Sequence, residues 1–214
     1  MSQNKKPRKK KYAFKGVKHP SANNKKALEQ FNTQIIQLYQ QGKVQEALTL
    51  SQQALEQFPN DLNLLKNVSG FAYKLDQFQL SKKYTLDSIK IDPNNAKLYS
   101  NLAVLFKEEK DFNQATKYYQ KALKLDSNNI GIYCNLANLL KEQKQLDKAK
   151  QHYQKVLSIN PKHENAYYNL AIIFYEQKQL DKAKQHYQKV LSINPKCNTP
   201  KKPNHSKVEN SIIK

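Results

Sequence analysis

The stretch EQKQLDKAKQHYQKVLSINPK occurs twice, at 142–162 and again at 176–196, without a mismatch. The copies lie 34 positions apart, and this spacing constrains the fold more than any other feature of the chain. A fixed period in this range marks an array in which one small unit is repeated and stacked.

Sliding the chain by 34 residues aligns five units, at 28–61, 62–95, 96–129, 130–163 and 164–197. The fourth position of each unit is Phe31, Leu65, Tyr99, Tyr133 and Tyr167. The seventh and eighth read Leu102-Ala103, Leu136-Ala137 and Leu170-Ala171 in the last three. The twentieth is small throughout, as Ala47, Ser81, Ala115, Ala149 and Ala183. Near each end stands Pro59, Pro93, Ser127, Pro161 or Pro195.

Each unit contains two helical patterns. In the fourth, Tyr133, Leu136, Ala137 and Leu140 recur at helical spacing, and Leu146, Ala149, Tyr153, Val156 and Leu157 do so again after a polar turn. Pro161 stops the second helix, because the residue before a proline is pushed out of the α region. Ala137 and Ala149 sit where the two helices cross closely. One short pair cannot bury its apolar stripe alone, so units must stack.

The 34-residue period, the Asn-Leu-Ala runs, the second-helix alanine and the closing proline resemble the tetratricopeptide repeat family. The resemblance covers roughly 28–197 and implies an all-α, right-handed superhelical solenoid of five helix-turn-helix repeats. It implies that first helices line a concave groove. Units one and two depart from the pattern, with Gln34 and Ile35 in the first and Ser69, Ser81 and Ser88 in the second.

Units four and five agree at four positions of the first helix, and three of these are explained by packing. The fourth is an asparagine that recurs as Asn67, Asn101, Asn135 and Asn169. The row resembles the asparagine ladder in the repeat arm of O-linked N-acetylglucosamine transferase, which implies that it holds an extended peptide by its backbone. A primary amide has two donors and an acceptor, so it can bond both the N–H and the C=O of one peptide unit. Four amides making two bonds each give roughly 4–12 kcal/mol, against an association cost of about 4–15 kcal/mol. Neighbours must contribute, and Lys66, Lys97, Asn138, Tyr168 and Tyr175 are candidates on the same face. A structural reading stands beside this one, in which each asparagine bridges adjacent helices. A clamp for a terminal carboxylate has Lys66 and Lys97 in its favour but no arginine in the groove.

The net charge of +20 is concentrated at the ends. Residues 1–28 hold ten Lys or Arg and no acid, 196–214 carry +4, and the middle only +6. Too few apolar residues precede Ala27 to offset ordering entropy, so 1–26 is expected to be a disordered basic arm. Its core, Lys5, Lys6, Arg8, Lys9, Lys10 and Lys11, is similar to a nuclear import signal and suits nucleic acid or an acidic surface equally. Residues 198–214 form a basic tail in which Pro200 and Pro203 forbid a continuous helix, leaving at best a short partial cap. Without a full cap, an apolar edge around Tyr187, Val190 and Leu191 is expected to be open to self-association.

Catalysis has little foothold. Four scattered glycines exclude a glycine-rich phosphate cradle. His152 and His186 occupy equivalent positions in identical helices with no further ligands nearby, so no metal or cofactor is expected. Cys134 has no histidine spaced to activate it, and with Cys197 it reads as a free thiol in a reducing compartment. Glu108, Glu109 and Asp111 read as solvated surface. No apolar run approaches the ~20 residues that cross a bilayer. The expectation is a non-catalytic, cytoplasmic or nuclear scaffold binding an extended peptide in its groove. Two alternatives are a transferase's substrate-recognition module, as a fragment or in trans, and a nucleic-acid or acidic-surface adaptor working through the arm.

Overall fold

The computed structural model describes residues 22–195. Lys5, Lys6, Arg8, Lys9, Lys10 and Lys11 of the arm, and Cys197 and the tail after it, lie outside the described residues. Ten helices and no strand occur among the described residues. They are α1 (Ala22–Gln40), α2 (Val44–Gln57), α3 (Leu62–Lys74), α4 (Phe78–Ile91), α5 (Ala96–Glu108), α6 (Phe112–Leu125), α7 (Ile130–Glu142), α8 (Leu146–Ile159), α9 (Glu164–Glu176) and α10 (Leu180–Ile193). Each packs chiefly on its neighbours in the chain, so five hairpins stack into a right-handed superhelical solenoid. The first five residues of α1, 22–26, are helical although the sequence places them in the arm.

Small residues let the helices approach. Ala103, Ala137 and Ala171 on odd helices and Ala47, Ala115, Ala149 and Ala183 on even ones are all fully buried. Large side chains fill the space beside them, among them Tyr119, Tyr153, Leu136 and Leu170. Burying each of these contributes about 1.5–3 kcal/mol. The core falls into two clusters, one from Ile35 to Ala72 and one from Tyr99 to Ala183. Between them unit two buries hydroxyls instead: Ser69, Ser81, Thr85 and Ser88.

The ends of the helices are fixed by local chemistry that recurs with the period. The residue before α3, α5, α7 and α9 caps it by accepting a backbone N–H: Asp61 from Leu64, Asn95 from Lys97, Asn129 from Ile132 and His163 from Ala166. Ser127 stands where the other units have proline, yet α6 ends in register. The stop does not depend on the proline: the Asp126 N–H bonds the Ala122 carbonyl and its carboxylate accepts from the Asn129 amide at 2.8 Å, as Asp92 does with Ser88 and Asn95 beside Pro93.

Every hairpin turns through a residue with positive φ at the fifteenth position of its unit. These are Gly42 (76°), Asp76 (56°), Lys110 (61°), Lys144 (58°) and Lys178 (60°). A side chain in that conformation costs about 1–2 kcal/mol.

The C-terminal edge differs from expectation. Tyr187 and Val190 are each only 4% exposed. Their register positions, like those of Tyr119 and Ala122 or Tyr153 and Val156, are buried in every one of the last three hairpins. The apolar side chain left open is Leu180, 54% exposed, whereas its counterpart Leu146 packs against the core.

Replacing Lys110, Lys144 or Lys178 by glycine removes the Cβ cost but adds about 0.5–1 kcal/mol of unfolded-state entropy. Each variant should gain up to about 1 kcal/mol, seen as a higher urea midpoint. A lower midpoint would show that the lysine side chains matter more than the turn.

Candidate functional site

The odd helices keep one face in solvent. On α5 it shows Lys97, Asn101 and Glu108, and on α7 Asn135 and Glu142, at helical spacing. The asparagine row lies on this face. Asn101 and Asn135 are exposed, and Asn67 and Asn169 are half-buried.

The four amides are not equivalent. Asn67, Asn101 and Asn135 make no side-chain hydrogen bond to another described residue. Asn169 is committed: its Nδ2 donates to the Asn165 carbonyl at 2.8 Å, and its Oδ1 accepts from Lys141 Nζ on α7 at 2.5 Å. Bridging between neighbouring helices is therefore real for Asn169 and absent from the other three.

The neighbouring candidates divide as well. Lys66 is half-buried and Lys97 exposed, and neither forms an ion pair among the described residues. Asn138 accepts the Tyr153 hydroxyl at 2.5 Å, so its oxygen serves its own hairpin. Tyr168 stands edge-on to Tyr187 with ring centroids 5.9 Å apart. Tyr175 packs against the core.

A set of contacts between units escaped the sequence reading. At the ends of the odd helices, the twelfth position of one unit reaches the thirteenth of the next. The Tyr73 hydroxyl donates to Glu108 at 3.2 Å, and Lys107 pairs with Glu142 at 3.0 Å. Burial, reinforced by Glu108, raises the Tyr73 phenol above its ordinary value and keeps it a donor. Lys82 meets Glu109 at 2.6 Å while its ammonium lies 4.0 Å from the centroid of Phe106. Asp111 caps α6 by accepting from the Gln114 N–H. Glu108, Glu109 and Asp111 are thus joints and a cap rather than mere solvated surface. The partners stand at different register positions of adjacent units, so their pairing appears only when the units are stacked.

Burial pushes the Cys134 thiol up, which keeps it protonated, the opposite of an activated nucleophile. His152 and His186 each pack on the tyrosine of their own unit, Tyr133 at 5.8 Å and Tyr167 at 5.9 Å. Among the described residues no three His, Cys, Asp or Glu side chains converge as a metal site.

Tetratricopeptide repeat models match residues 96–129 and 128–196. Over residues 96–196 the chain carries tetratricopeptide repeats. Solved structures agree at the level of the fold. MamA from Desulfovibrio magneticus RS-1 superposes with a TM-score of 0.71 at 16% identity, over 80% of this chain and 97% of that one. PilF of Pseudomonas aeruginosa gives 0.69 at 18% identity, covering 80% and 78%. YrrB, described as a TPR protein with an unusual peptide-binding site, gives 0.62 at 19% identity, covering 81% and 93%. No curated protein matches the chain. No described helix is long and apolar enough to cross a membrane.

Burial lowers the affinity of His152 for a proton. A base whose folded value is depressed leaves stability intact above its unfolded value, near 6.5, and removes it as pH falls below that. Urea midpoints should therefore drop between pH 7 and pH 5, and His152→Gln should flatten that slope. An unchanged slope would show that other groups carry it.

Proposed function

We propose that the tetratricopeptide stack is a protein-interaction scaffold whose odd-helix face holds an extended peptide segment through Asn67, Asn101 and Asn135. The observation behind this reading is that these three amides, one per unit and on one face, have no hydrogen-bond partner among the described residues. A solvent-facing helix position is better filled, for helix stability alone, by alanine or lysine than by asparagine. Repetition at each unit matches a ligand that is itself periodic, and a polypeptide backbone is one. Contacts of this kind ignore side chains and tolerate varied sequences. YrrB's peptide-binding site supports the class of ligand. The likeness to the transferase arm rests on the asparagine row alone, and a substrate-recognition role would use the same contacts.

A second reading rests on charge. Lys121, Lys155 and Lys189 stand at one register position on α6, α8 and α10, all exposed. With the basic arm they favour contact between the even-helix side and an anionic surface, which salt would weaken.

Peptides selected from a random displayed library should bind the full chain. In Asn67→Ala/Asn101→Ala/Asn135→Ala they should bind roughly 100-fold more weakly, at about 1 kcal/mol per amide, with a melting temperature no lower than wild type. Undiminished binding would overturn the reading, and so would a collapsed melt. Deleting residues 1–20 should leave this binding in place. It should abolish salt-sensitive binding to anionic polymers if the arm carries that contact.

A further inference from the structure

The odd-helix face is not uniform, and a hollow on it lies where unit two departs from the pattern. It has a volume of about 380 Å³ and is lined by Ser69, Gly70, Tyr73, Ser81, Asn101, Val104 and Leu105. Comparison with the other units explains it. At the twenty-fourth position, units three to five bury a tyrosine, Tyr119, Tyr153 or Tyr187, whereas unit two has Thr85. At the ninth position, where Tyr153 reaches Asn138 in unit four, unit two has Gly70. A Cβ built on Gly70 would meet nothing within 4 Å. Two smaller residues leave this room: Gly70 in the lining itself, and Thr85, bonded to the lining Ser69, where later units carry a ring.

Its chemistry limits what can enter. The hydroxyls of the floor bond one another: Ser69 Oγ lies 2.7 Å from Thr85 Oγ1, and Ser81 Oγ donates to the Ser69 carbonyl at 2.8 Å. The Tyr73 hydroxyl is engaged with Glu108. Val104 and Leu105 supply an apolar wall. None of the lining residues carries a charge, so a charged group entering would lose hydration without a counter-ion. A cavity of about 150 Å³ already admits a benzene ring. Asn101 lies both in this lining and in the amide row, so a backbone held at Asn101 has this hollow directly beneath it.

We infer that the hollow between α3 and α5 is a side-chain subsite that takes one uncharged aromatic residue of the bound segment and sets its register on the asparagine row. The subsite rests on the proposed peptide reading but is tested apart from it. The probe is N-acetyl-phenylalanine amide, with N-acetyl-alanine amide as comparison, titrated into the full chain and followed by amide NMR. The phenylalanine probe should shift the signals of Ser69, Gly70, Tyr73 and Asn101, and bind at least tenfold more tightly than the alanine probe. Thr85→Tyr restores the missing ring and should abolish these shifts. Gly70→Ile fills the mouth from the other side and decides the matter if the tyrosine variant does not fold. Asn67→Ala/Asn135→Ala leaves the lining intact and should keep them. Shifts elsewhere, equal affinity for the two probes, or binding that survives Gly70→Ile would overturn the subsite. Loss of library peptides from the asparagine variant, with these failures, would overturn the subsite and leave the amide row standing. Probe binding that persists while that variant keeps its peptides would overturn the amide row and leave the subsite.

Discussion

Close contact between successive hairpins is the constraint on which the rest of the molecule depends. No unit has a core of its own, because two helices of about this length expose as much apolar surface as they cover. Contact becomes possible because the twentieth position is small in every unit and the eighth is small in units two to five. Fully buried alanines there bring backbones together and let Tyr119, Tyr153 and the leucines interdigitate around them. Once those positions are set, adding a unit creates the same interface again, which is why the chain can contain one helix twice.

Unit two is where this rule is relaxed. Ser69 and Ser81 occupy its small positions, Thr85 stands where later units have tyrosine, and these hydroxyls bond one another, so the interior polar groups are satisfied although the apolar core is interrupted. The result is a stack with two hydrophobic clusters and a polar seam between them. The hollow on the odd-helix face lies at that seam. A weaker packing position and a candidate recognition position thus have one physical origin, the smaller residues of unit two.

On the same face, the asparagines show how one residue type at one register acquires different roles. Asn169 is drawn into its surroundings by Lys141 and the Asn165 carbonyl. At Asn135 the corresponding lysine, Lys107, pairs with Glu142 instead. In the last unit the acid at the same position, Glu176, pairs with Lys144.

Much of this was legible in the chain itself. The period, the paired helical stripes and the small positions determine an all-α stack of hairpins, because local periodicity and steric limits act within one unit. The asparagine row was legible for the same reason. The left-handed turn residues were less so: Gly42 marks the position, but lysines conceal it elsewhere, since their strain appears only in the backbone. Contacts between units were decided by the tertiary structure, because they join residues about one period apart whose pairing depends on the angle of stacking. α8 and α10 make the point most directly. Their sequences are identical, yet Leu146 packs into the core while Leu180 faces solvent, and Asp147 accepts a bond from Gln177 of the following unit. Sequence determined that both are helices; position in the stack determined what each one touches.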